Sequence, residues 1–216
     1  AVVPVFAVGR AQTVLYAIAQ LKLRGVLPQA LPVFLDSPMA VQATELYGSR
    51  RDEHRLDTAA LRAMARCTTL VHSVDESKAL ARMHGPRVIL SASGMATGGR
   101  VLHHLQLHAG DHRAMIILTG HQAPGTRGAR IAAGEKSMRI HGQDVAIRAE
   151  VVQLASASAH ADRTQLLDWL GRMPDRPERV FVVHGEIAAS DRLREDIAHR
   201  LRWNAQMPEH GATLDV

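Results

Sequence analysis

Residues 86–120 read PRVILSASGMATGGRVLHHLQLHAGDHRAMIILTG, and this stretch decides the fold. PRVILSAS and RAMIILTG are short apolar runs that read as strands. Between them, GMATGG is a turn and RVLHHLQLHA a helix in which leucines alternate with histidines. Strand, turn, helix and strand in this order make a βαβ unit, which argues for a parallel sheet.

Working outward, the same alternation recurs. VVPVFAV is a short strand, and RAQTVLYAIAQLKLRG an amphipathic helix stopped by Gly25. LPVFLDSPMA is the next strand, ending in a polar turn before a helix through VQATELYGS. DTAALRAMARC reads as a helix with Asp57 as its cap, and TTLVHSV as a further strand. From about Ile131 the sequence reads as short strands, SMRIHG and VAIRAEVVQL. A loop SASAHAD, a helix RTQLLDWL, a strand VFVVHGE and a final helix ASDRLREDIAHRLRW follow. There is no internal repeat or low-complexity segment, and the one seam lies near APGTRGARIAAGEKS. The expected class is α/β.

Composition narrows the partners. The chain has 216 residues and a formal net charge of +5, which favours a polyanion, although the excess comes mostly from scattered Arg. Aromatic residues make up only 3%, so base stacking is expected to be minor and sequence preference weak. The single cysteine, Cys67, excludes an internal disulfide and any Cys-based zinc cluster, and suits a reducing compartment. No apolar run is long enough to span a bilayer and no leader pattern is seen, so the expectation is a soluble, cytoplasmic protein with no membrane partner. The opening AVVPVFAV begins at once on a strand-like run, as though cut from a longer chain.

Polar clusters stand at strand ends, where open α/β sheets bind ligands. Asp36 and Ser37 lie at one such end, and Ser91, Ser93, Gly94, Gly98, Gly99 and Arg100 at another. Glycine and serine there let backbone N–H groups approach an anion beside a helix start, so a phosphate fits; a tight turn that merely requires glycine fits equally. The spacing is not G-x-G-x-x-G, which argues against a dinucleotide site. In the cluster His103, His104, His108, Asp111 and His112, His104 and His108 are one helical turn apart, as a metal pair would be. The favoured reading of that cluster is a solvated face. His121 and Arg127 fall in a loop after a strand, where they could contact a substrate. His160 lies in the small-residue loop ahead of RTQLLDWL, with Asp162 either capping that helix or orienting the histidine; His184 ends an apolar strand. An imidazole at a rigid strand end is a good zinc ligand, and one on a flexible loop can donate a proton near neutral pH.

PVFAVGRAQTVLY, PVFLDSPMA, VILSASGMATGGRVLHHL, ILTGHQAPGTRGARI, VAIRAEVVQLASASAHADRTQLLDWL and VFVVHGE together resemble, in order and spacing, the β-CASP branch of the metallo-β-lactamase fold, a branch of RNA-processing nucleases. The resemblance covers almost the entire chain. It implies a β-CASP domain at residues 1–135, with a mainly parallel sheet flanked by helices. Residues 136–216 would be the C-terminal part of the metallo-β-lactamase αββα domain. It implies a ribonuclease with two zinc ions that activate water for attack on phosphorus, His184 as a zinc ligand, and His160 as general acid or phosphate-orienting residue. Single-stranded RNA would be the partner, held by Arg10, Ser37, Ser93, Gly94, Arg100 and Ser158, and the resemblance admits a homodimer. The family's H-x-H-x-D-H motif is not recognisable in this sequence, so the chain is read as the back half of an enzyme in which no tight dinuclear zinc site is expected. The alternatives are a non-catalytic RNA-binding or scaffolding module of the same family, and a nucleotide-binding protein using the Gly-rich turn.

Overall fold

The computed structural model describes residues 1–154 and 160–214. The chain divides into two compact units, Ala1–Ser158 and Ala159–Val216.

In the first unit, β1 (Val2–Pro4), β2 (Val33–Leu35), β3 (Thr69–Leu70), β4 (Val88–Ser91), β5 (Met115–Leu118) and β8 (Glu150–Gln153) form one sheet. Its order is β3-β2-β4-β1-β5-β8, and every neighbouring pair is parallel. The helices that return the chain are α1 (Arg10–Leu23), α2 (Pro38–Ser49), α3 (Thr58–Cys67), α4 (Val74–Arg82), α5 (Arg100–His108) and α6 (Arg127–Ala132). A hairpin of β6 (Ser137–Ile140) and β7 (Gln143–Ala146) precedes β8. The parallel sheet expected from residues 86–120 is therefore present, with β4, α5 and β5 as the βαβ unit.

Both faces of the sheet are buried, which is why its strands are apolar throughout rather than alternating. Val3, Val33, Leu35 and Leu90 pack with Ala11, Leu15, Ile18 and Ala19 of α1 and with Ala63 and Met64 of α3. On the other face Val2, Ile116 and Leu118 pack with Val101, Leu102 and Leu105 of α5, Ile131 of α6, and Met138, Ile140 and Val145 of the hairpin. α1 and α5 thus lie on opposite faces. The chain leaves β1 toward β2 over one face and leaves β4 toward β5 over the other. Because β1 and β4 are neighbours, their C-terminal ends flank a crevice where the winding reverses, the place where open α/β sheets bind ligands.

Local chemistry fixes the helix starts. Ser37, Asp57, Ser73 and Thr126 cap α2, α3, α4 and α6 by accepting from the backbone N–H three residues on. Asp57 is the cap the sequence indicated. α4 and α6 were not anticipated; α6 opens at Arg127, inside the segment read as a loop.

The second unit holds α7 (Arg163–Leu170), α8 (Ile187–Asp196) with a π-helical turn at Ile197–Leu201, and a small parallel pair, β9 (Val180–Phe181) with β10 (Ala205–Gln206). Asp162 caps α7 in a reciprocal box: its carboxylate accepts from Gln165 N at 2.8 Å, and Gln165 Oε1 accepts from Asp162 N at 2.9 Å. Of the two roles open to Asp162, the cap is the one the structure displays. Arg163 and Asp196 join α7 to α8 by an ion pair. Among the described residues no helix is long and apolar enough to cross a membrane.

Candidate nucleic-acid interface

Five of the expected RNA contacts lie at the C-terminal edge of the six-stranded sheet. Arg10 opens α1 after β1, Ser37 follows β2, and Ser93, Gly94 and Arg100 belong to the turn from β4 into α5. The sixth, Ser158, lies outside the described residues. His160 and His184 belong to the second unit.

The helix starts of the first unit fall into two kinds. Four have side-chain caps, whereas α1 and α5 have none; each has glycine at the N-cap, Gly9 or Gly99, each has Arg as its first residue, and neither has an acid in its first turn. An Arg at a helix N-terminus faces the positive end of the helix dipole, an arrangement that disfavours a cation and favours an anion beside it. Both helices start from the adjacent strands β1 and β4 at the reversal crevice. Arg10 is half-buried, with an Nε that is sealed from solvent and lacks a hydrogen-bond acceptor among the described residues.

Arg100 is held in a different way. Its Nη1 donates to Asp36 Oδ1 at 2.7 Å and reaches the Val71 carbonyl at 3.4 Å. Asp36 is fully buried, and its second oxygen accepts from Ser77 Oγ of α4 and from His104 Nε2 of α5, both at 2.6 Å. Burial pushes the Asp36 carboxyl up, but hydrogen bonds from His104, Ser77 and Arg100 outweigh it and hold the group below its ordinary value. His104 is only 1% exposed, so the expected solvated face is corrected at this position: the histidine is a buried partner of a carboxylate. His103, one residue earlier, is exposed and lies against His141 of the hairpin. His108 is half-buried.

The remaining edge residues are tied together. Ser91 Oγ donates to the Asp36 carbonyl at 2.6 Å, and Thr119 Oγ1 to the Pro4 carbonyl at 3.0 Å. Ser37 spends its hydroxyl on the α2 cap and is 5% exposed. Ser93 Oγ shares a hydrogen bond with Thr97 Oγ1 at 2.8 Å and accepts from Thr97 N, closing the turn on itself. Gly94 lets Phe6 approach; a Cβ there would stand 2.9 Å from the Phe6 backbone nitrogen. Gly99 has φ +78°, and a Cβ on it would stand 2.6 Å from the Ala92 carbonyl oxygen. Arg127 reaches from α6 to the carbonyls of Arg139, Ala96 and Thr97, and Gln122 Nε2 donates to the Gly94 carbonyl at 3.1 Å.

In the second unit His160 is exposed, two residues before the Asp162 cap. His184 is exposed, between β9 and α8, and carries the left-handed φ of +61°, a conformation costly for a residue with a Cβ and common at functional sites. No group of three or more His, Cys, Asp or Glu residues that could hold a metal occurs among the described residues.

Sequence comparison places these features in a family. A model described as "Beta-Casp domain" matches residues 11–131, more than half of the chain, and one described as "Zn-dependent metallo-hydrolase RNA specificity domain" matches residues 144–208. Among curated proteins, Ribonuclease TTHA0252 of Thermus thermophilus is 40% identical over 191 residues, covering 85% of this chain and 42% of the relative. Transcription termination factor FttA of Methanosarcina mazei is 32% identical over 214 residues, covering 94% of this chain and 33% of the relative. An RNase J-like protein of Methanocaldococcus jannaschii is 31% identical over 225 residues, covering 100% of this chain and 50% of the relative. The chain therefore spans a third to a half of the length of these relatives. With a parallel sheet flanked by helices and the family's pattern matched from Ala11 to Ile131, the chain belongs to the β-CASP family.

Proposed function

We propose that the first unit is a clamp for the phosphate backbone of single-stranded RNA, and that the chain serves a zinc-dependent ribonuclease acting in RNA processing or decay. The observation that carries the reading is the pair of uncapped helix starts, Gly9-Arg10 and Gly99-Arg100, at the reversal crevice between β1 and β4. Backbone N–H groups and the positive ends of two helix dipoles stand there, with the Arg100 guanidinium toward Asp36 and Val71 and the Arg10 guanidinium beside Gly120, an array along the sheet edge suited to successive phosphates. The net charge of +5 and the scarcity of aromatics favour phosphate contacts over base stacking. The ribonuclease names of the relatives and the RNA specificity description of the second matched family support RNA as the polyanion.

In this reading residues 1–135 form the β-CASP clamp and residues 136–216 belong to the metallo-hydrolase domain. His160, exposed ahead of α7, is the candidate to orient a phosphate or protonate a leaving oxygen. Zinc enters through the matched family's description. Among the described residues no cluster of three or more potential ligands occurs, and His184 stands as one prospective ligand. When bound, the metal would supply a water of lowered pKa.

The test is fluorescence anisotropy with labelled single-stranded oligonucleotides of equal length and different sequence. The clamp predicts similar affinities for oligoadenylate and oligouridylate, and displacement by unlabelled RNA but not by a mononucleotide. Saturable mononucleotide binding that RNA does not displace would contradict it and support the nucleotide-binding alternative.

A further inference from the structure

We propose that Asp36 is a positioning residue for phosphate recognition: it anchors Arg100 through one guanidinium nitrogen so that the rest of the fork remains for an RNA phosphate. This rests on the clamp reading above.

The pairing is unusual for a buried Arg–carboxylate contact. Arg–carboxylate pairs frequently close as two parallel N–H···O bonds, the strongest arrangement open to a guanidinium and a carboxylate. Here one oxygen of Asp36 is already taken, at 2.6 Å each, by His104 Nε2 and Ser77 Oγ. That leaves Oδ1 for Arg100, which reaches it with Nη1 alone at 2.7 Å. Nε and Nη2 of Arg100 have no protein acceptor among the described residues, and neither is sealed from solvent. The donors on Oδ2 thus block the bidentate closure and keep half of the fork unspent.

His104 is costly in any role but this one. It is buried on the face of α5 that otherwise carries Val101, Leu102 and Leu105, and its Nδ1 has no partner among the described residues. Leaving a buried ring nitrogen unpaired is unfavourable, and an apolar side chain would fill the space without that cost. Its hydrogen bond is the one to Asp36. Asp36 in turn offsets the placement of a cation at the start of α5, where the helix dipole opposes it. Asp36 on β2's end, Ser77 on α4 and His104 on α5 therefore converge on the orientation of one guanidinium at the sheet edge, whose side chain is 17% exposed.

Binding of labelled oligouridylate measured across a salt series tests the proposal, because each phosphate contact on a single strand contributes about 0.7 to the slope of log affinity against log salt. Arg100→Ala should reduce the slope by about 0.7, and affinity by about fivefold at about 0.1 M salt. Asp36→Asn should lose the same contact, and the double variant should lose no more than either single one, since both act through one guanidinium. Arg100→Lys keeps the charge and a partner for Asp36 but has no fork, so it should lower affinity while retaining much of the salt slope. Parent-like or tighter binding by Asp36→Asn, or additive losses in the double variant, overturns the proposal. If Asp36→Asn does not fold by circular dichroism, Arg100→Lys decides, and a parent-like affinity overturns it. Weakened binding by Arg10→Ala with parent-like Asp36→Asn would leave the clamp standing and remove the positioning role. Salt-independent binding by the parent chain removes both.

Discussion

At the scale of single residues, chemistry is concentrated where local pattern gave least warning. Asp36 was marked as a polar residue at a strand end, but its partner His104 is 68 positions away. No helical or strand periodicity reports a pairing across that distance, so His104 was placed with its solvated neighbours. The available signal was the leucine spacing around it, which puts His104 between Leu102 and Leu105 on the core side of α5. The buried carboxylate has a measurable consequence. Its folded pKa lies below the ordinary value, so its contribution to stability is full above that ordinary value and is lost as pH falls through the folded one. His104 and Arg100 face it from α5 and Ser77 from α4. Urea unfolding at pH 7 and at pH 3 should show a smaller acid loss in Asp36→Asn than in the parent; equal losses would mean that the carboxylate is not held ionised. Gly99→Ala should destabilise by about 2 kcal/mol or more, combining a left-handed backbone with a carbonyl 2.6 Å from the new Cβ. A parent-like denaturation midpoint would show that the turn opens to accept it. If the proposed zinc-dependent ribonuclease is assembled in a longer protein, His160→Ala should lower its turnover by about 10²–10⁴-fold with metal content unchanged. His184→Ala should lower both. Zinc loss in the His160 variant would exchange the two roles.

At the scale of elements, the strands and most helices were legible because their signals are local. VILS and MIIL read as strands, Asp57 as a cap, and Asp162 as a cap or an orienting partner, from a few adjacent residues. α4 was missed although its capping box, Ser73 with Glu76, is present in the sequence; the helix is nine residues long and buries only Leu80, so it lacks an apolar stripe. α6 was missed because Gly125 and Gly128 flank its start and read as loop. The α7 cap should respond to mutation as exposed caps do: Asp162→Ala should cost about 0.5–2 kcal/mol in urea unfolding of the chain. No change would mean that α7 is held by its packing alone. Leu105, fully buried between α5 and the sheet, should cost about 2–5 kcal/mol as Leu105→Ala. A loss of less than about 1 kcal/mol would contradict its place in the core.

At the scale of the whole molecule, the parallel sheet followed from one βαβ stretch, whereas the reversal crevice did not. Strand order depends on which strands pair, and the sequence shows only that strands alternate with helices. Once β1 and β4 are neighbours, the opposite exits of α1 and α5 place Arg10 and Arg100 on either side of one crevice. The central claim is that single-stranded RNA lies across this edge. Amide hydrogen exchange with and without single-stranded RNA tests it most directly. Peptides containing Arg10, Ser93, Gly94 and Arg100 should gain protection, while those at the opposite, N-terminal ends of the strands, around Arg87 and Ala114, should not. Protection at the N-terminal ends alone, or none at the crevice under conditions where RNA is bound, would contradict the account.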